Sequence, residues 1–101
     1  MNNRINIKFL EAVCARINHA TGSPEQPYVK DETLGHHVAQ VGNYHIAQMY
    51  NGVALHRMYN EGGAINDVFR CGSTTKRQLA DRMFAYLEGL EAAKESHKVA
   101  A

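Results

Sequence analysis

Six histidines stand in a chain of 101 residues, and their spacing limits what they can do. His36 and His37 are adjacent, and His45 and His56 fall in two segments that read as the arms of one hairpin. On that reading they share a sheet face and lie diagonal to each other. Diagonal neighbours sit roughly 7–8 Å apart at their alpha carbons. Two neutral imidazoles so placed can share a soft divalent ion, with His36 or Cys71 as a third ligand. The spacing matches no zinc signature. The expectation is surface histidines on a mixed sheet face, with no metal and no cofactor. Cys71 precedes a helix start, where a thiolate is stabilised, but no base accompanies it. Cys14 lies on an apolar helix flank and reads as a small hydrophobe. Asp67 and Asp81 have no spaced partner for acid–base work. No phosphate-cradling or dinucleotide glycine pattern occurs. No catalytic residues are therefore expected.

Two other surfaces carry recognition chemistry. Arg70, Lys76, Arg77 and Arg82 gather around the start of the last helix. Cations beside unsatisfied backbone N–H groups hold phosphate or carboxylate well. The other surface is the hairpin face that carries His45, Met49, His56 and Met58. Methionine-rich mixed faces suit protein contacts, and a second copy of the chain is one partner of that kind.

The elements that must position these residues follow from periodicity. Ile5, Phe9, Val13 and Ile17 recur every four residues and predict a helix over Ile5 to His19. Gly22 suits its left-handed C-cap, and Pro24 blocks continuation. Residues 23–35 predict an irregular loop, with Tyr28 and Val29 tucked onto the domain. Leu34 to Val41 reads as a short strand or an irregular edge. Tyr44 to Tyr50 and Val53 to Tyr59 flank Asn51-Gly52, a strong hairpin signal. A two-residue turn there opposes Tyr50 to Val53, Ile46 to Arg57 and Tyr44 to Tyr59. The face with Tyr44, Ile46, Tyr50, Val53, Leu55 and Tyr59 should meet the helices. Ala64 to Phe69 reads as a third strand, in which Asp67 conflicts with a dry face unless the strand is bulged or at an edge. Thr75 and Gln78 fit a capping box. Leu79, Met83, Tyr86, Leu87 and Leu90 form the stripe of a long helix, and residues 96–101 should fray. The fold class is α+β: two helices on one face of a three- to four-stranded antiparallel sheet, in one domain over 1–101, ordered α-(β)-β-β-β-α.

Composition sets the outer limits. Eleven basic residues against ten acidic give a net charge of +1, too little for general affinity to nucleic acid or anionic membrane. No apolar run approaches the roughly 18 residues needed to span a bilayer. No signal peptide is expected, and two cysteines make no disulfide framework. A cytoplasmic protein with free thiols is the expectation.

Two resemblances rest on particular residues. Gly72-Ser73-Thr74-Thr75-Lys76-Arg77-Gln78-Leu79-Ala80, within the order helix, three strands, helix, resembles the double-stranded RNA-binding domain. Lys76 and Arg77 match that family's basic pair. Leu79 and Ala80 depart from its small residue and further lysine, and the loop before its second strand is absent. The resemblance implies phosphate contacts at the helix start. Over roughly Tyr44 to Leu90, the segment Tyr50 to Arg57, the Gly62-Gly63-Ala64 turn and Thr75-Lys76-Arg77-Gln78-Leu79 resemble small uncharacterised accessory proteins of gut bacteria and phages. That implies a small intracellular module without an assigned reaction. The expected function is protein interaction without catalysis. A nucleic-acid-binding domain and a histidine-based metal protein or enzyme are the alternatives.

Overall fold

The structure is a computed structural model and describes residues 5–100, with side chains described for 5–95. The fraying expected over 96–101 falls outside the residues described in full. The fold is α+β, as expected. Helix α1 spans Ile7–Thr21, β1 Tyr28–Asp31, β2 His36–Ala39, β3 Tyr44–Met49, β4 Gly52–Met58, β5 Ile65–Asp67 and α2 Lys76–Ala100. The strands form two antiparallel sheets, β1-β2 and β3-β4-β5.

Asn6 starts α1: its side chain accepts the Phe9 N–H at 2.8 Å. Gly22 ends the helix at φ 67, in the expected left-handed C-cap. The buried stripe is Leu10, Val13, Cys14 and Ile17. Phe9 turns partly outward and meets Phe84 edge-on, with ring centroids 5.8 Å apart. The capping box of α2 forms as expected. Thr75 N–H donates to Gln78 Oε1 and Gln78 N–H to Thr75 Oγ1, both at 3.1 Å. The two helices run in the same direction: Phe9 meets Phe84, and two turns further on Arg16 meets Glu91. Leu10, Ile17, Tyr44, Val53, Leu55, Leu79 and Met83 form the core between helices and sheet.

The segment 23–35 is not all loop. Tyr28–Asp31 pairs with His36–Ala39, from Tyr28↔Ala39 to Asp31↔His36. Asp31 Oδ1 accepts the N–H groups of Thr33 and Leu34, and Gly35 closes the turn at φ 76. The local turn chemistry wins here over a weak apolar alternation. Tyr28 and Val29 are not tucked in: they are 46% and 41% exposed.

The β3–β4 register is slipped by two residues from the one expected. Ile46 pairs with Leu55, Tyr44 with Arg57 and Met49 with Gly52. Tyr50 and Asn51 make the turn, and neither has positive φ. Gly52 is used differently: it lets the chain pass close to Thr74. A slip of two preserves which side chains share a face. Tyr44, Val53 and Leu55 therefore still meet the helices, while Tyr50 and Tyr59 lie beyond the paired residues and are exposed. The third strand is only Ile65–Asp67, at the sheet edge. Ile65 pairs with Met58 and Asp67 with His56, which puts both on the side of the sheet away from Leu55. Phe69 reaches the core after the chain has left the strand, edge-on to Tyr86 at 5.8 Å.

Candidate functional site

The slipped register brings His45 and His56 directly opposite, not diagonal, with ring centroids 5.9 Å apart. Asn43 Nδ2 donates to the Pro24 carbonyl, so its Oδ1 faces His45 Nδ1 at 3.1 Å as an acceptor. His45 therefore carries its proton on Nδ1. The expected third ligands are elsewhere. His36 Nδ1 faces the His37 carbonyl, and Cys71 Sγ accepts from Arg82 Nη1 at 2.9 Å. Among the described residues no three His, Cys, Asp or Glu side chains are placed to hold a metal ion.

Burial, and then the neighbouring His56, hold the His45 pKa below its ordinary 6.5. The unfolded chain therefore binds a proton that the folded chain resists. Stability is at its full value above about pH 6.5, falls as pH drops through the window below it, and levels off beneath the folded pKa. Urea midpoints measured from pH 7.5 to 5 should fall with acidification. His45→Gln should remove part of that slope, and an unchanged slope would refute the assignment.

The methionine face is only partly available. Met58 and Ala54 are buried, whereas Met49 is exposed. Met58 belongs to the interior and not to a contact surface. Of the other large exposed apolar side chains among the described residues, Phe9 lies on α1 and Tyr50 at the β3–β4 tip, while Tyr28, Val29, Leu34, Val41, Tyr59 and Ile65 lie on or next to the β1–β2 hairpin and around the turn after β4. The Tyr28 hydroxyl reaches within 3.1 Å of where a Gly63 side chain would begin, which links the two regions.

The structure divides the basic cluster. Lys76 lines an open depression of about 480 Å³ with Met49, Gly52 and Thr74 at the tip of β3–β4. Arg77 has a partner of its own. Arg82 is engaged with Cys71. Arg70 joins a separate cleft of about 520 Å³, which Tyr44, Arg57, Asn66, Asp67 and Tyr86 also line. This volume is in the range of small-molecule sites.

Several elements build that cleft. Arg57, paired with Tyr44 across the sheet, lays its guanidinium carbon 4.7 Å from the centre of the Tyr44 ring. Its Nε donates to the Gly42 carbonyl at 3.1 Å. Tyr44 and Tyr86 hydroxyls lie 2.6 Å apart. Burial, followed by that hydrogen bond, pushes the Tyr44 pKa up to about 12, so the phenol stays neutral. Arg70 has φ 54, the only positive φ outside glycine among the described residues. Its N–H donates to the Asp67 carbonyl, and Gly72 N–H donates to Asp67 Oδ2 at 2.9 Å. Asp67 Oδ1 is shut off from solvent without a partner among the described residues.

Sequence reasoning named Arg70 but missed this cleft, because its residues come from β3, β4, β5, the following turn and α2. One signal was legible: Arg57 stands among apolar neighbours on the core-facing side of β4. Among the described residues, no helix is long and apolar enough to cross a membrane. No protein-family model, curated protein or solved structure matches this chain.

Proposed function

We propose that this chain is a non-catalytic protein-binding module that engages its partner, a second copy or another protein, through the β1–β2 hairpin. The observation that carries the reading is the hairpin itself. Two-stranded sheets are marginal without cover. Here only Ala39 of the eight strand residues is buried, while Tyr28 and Val29 present apolar surface. Both outer strand edges offer backbone groups for an added strand. Lys30 and Asp31 on β1 discourage indiscriminate stacking.

The double variant Tyr28→Ser/Val29→Lys changes two exposed positions, and circular dichroism checks that the fold is retained. Light scattering over a concentration series reports a dimer if the partner is a second copy. Affinity capture from host cells, wild type against variant, reports a different protein. Association lost in the variant supports the reading. Association indifferent to both substitutions, or none in either assay, sinks it.

A second reading is single-strand nucleic acid at the β3–β4 tip. Tyr50 is fully exposed there, and Met49 and Gly52 of the same tip adjoin Lys76. An exposed ring is a surface on which a base can stack, and a cation at the same tip attracts the phosphate backbone. Titration with labelled strands at two salt levels tests it. Salt-sensitive binding lost in Tyr50→Ala and Lys76→Ala would favour this reading over the first.

A further inference from the structure

We propose that the cleft between Arg57 and Arg70 binds a phosphorylated small molecule, with Tyr86 and Asn66 completing the phosphate shell. The inference is independent of the hairpin reading. It begins with the tyrosine pair. Two hydroxyls 2.6 Å apart share one hydrogen and leave one over. Tyr44 is only 2% exposed, and among the described residues its hydroxyl has no hydrogen-bond partner except Tyr86. Tyr86 is the more exposed of the two, so the arrangement in which Tyr44 donates leaves the spare hydrogen where a ligand can accept it. In that arrangement the spare hydrogen belongs to Tyr86, a residue that lines the cleft.

The charged groups agree. Arg57 is held in place by its Gly42 bond and by the Tyr44 ring, with both terminal nitrogens unspent among the described residues. Arg70 is exposed and makes no side-chain bond or ion pair among the described residues. Asp67, the acid in the same wall, gives one oxygen to Gly72 N–H and has the other closed to solvent. Its carboxylate is thus largely withheld from the open space. The surface left for a ligand presents two guanidiniums, a phenol hydrogen and the Asn66 amide. That set answers a dianionic oxyanion, because guanidinium forks match phosphate oxygens in pairs. The volume of about 520 Å³ exceeds what a bare ion needs and accommodates a sugar-sized body.

Arg70 supplies the second line of argument. A non-glycine residue at φ 54 is held at a cost, and such positions recur where the side chain has a task. Glycine would take this conformation freely. Arg70→Gly therefore separates the two roles: it relieves the backbone and removes the cation.

The test is isothermal titration, with NMR amide shifts, using ribose 5-phosphate, inorganic phosphate and citrate as separate probes. Ribose 5-phosphate should bind most tightly and shift the amides of Asn66, Val68 and Gly72. Arg70→Gly should weaken binding at least tenfold while its urea midpoint stays level or rises. Tyr86→Phe should weaken it severalfold, and Arg82→Gln, outside the cleft, should not. Phosphate binding as tight as the sugar phosphate would overturn the small-molecule part of the proposal. Preference for citrate would overturn the phosphate class. No binding by any probe, or equal binding by Arg70→Gly, would overturn the site itself.

Discussion

Gly52→Ala should lower stability by about 3–5 kcal/mol, a large share of the roughly 5–15 kcal/mol of a small domain. A side chain built at Gly52 would begin 2.3 Å from the Thr74 carbonyl oxygen and 3.1 Å from its carbon. Both atoms are backbone and cannot swing aside. Gly52 also has φ +151, a conformation that alanine rarely adopts. Relief requires the chain before α2 to move off β4. That breaks the reciprocal bonds between Val53 and Thr74, at 2.9 and 2.8 Å. Two lost bonds of about 1 kcal/mol each, plus about 1–3 kcal/mol of strain, give the stated range. Urea unfolding followed by circular dichroism measures it. Gly89→Ala is the matched control: nothing lies within 4 Å of the added methyl in a helix interior, and stability should rise by up to about 1 kcal/mol. A Gly52→Ala midpoint equal to wild type would show that the Thr74 approach is not a constraint.

The second large effect is at Asn18, in α1 and 2% exposed. Its Nδ2 donates to the Tyr44 carbonyl at 2.9 Å and its Oδ1 accepts the Tyr44 N–H at 2.8 Å. β3 is an edge strand, and this amide satisfies both backbone groups where a neighbouring strand would otherwise do so. Asn18→Leu should cost about 2–4 kcal/mol, because two buried backbone groups lose a partner at about 1–3 kcal/mol each. The Cys14 thiol, 3.2 Å from the same carbonyl, moderates the loss. Asn18→Asp makes the sign testable. A neutral carboxylic acid copies the amide, but a carboxylate repels the carbonyl. That variant should grow more stable relative to wild type as pH falls through its carboxyl pKa. A variant gap independent of pH would refute the double hydrogen bond.

The sequence was legible where one residue decides a local event. Gly22 and the Thr75–Gln78 box marked helix ends at the atoms that form them. Alternation along β3 and β4 identified the faces, and a slip of two residues left them intact. The slip itself was hidden, since nothing local reveals that Thr74 will press on Gly52. β1 was missed because Tyr-Val-Lys-Asp alternates weakly and buries almost nothing. The cleft was illegible for a different reason. Tyr44 and Tyr86 are 42 positions apart, and only the packed core decides that their hydroxyls meet.

The common direction of α1 and α2 has a kinetic corollary. Antiparallel neighbours can zip up across a short loop, but a pair running the same way needs the whole sheet laid down between them. Arg16 reaches Glu91 across 75 positions, and Phe9 reaches Phe84 across an equal interval. Such distant closures are entropically deferred, because the intervening loop must be ordered before the contact repays it. Folding should therefore fall in the slower range of mixed small domains, with the helix–helix seam among the last parts to close. Until then the apolar side of β4 stays open to whatever else is near.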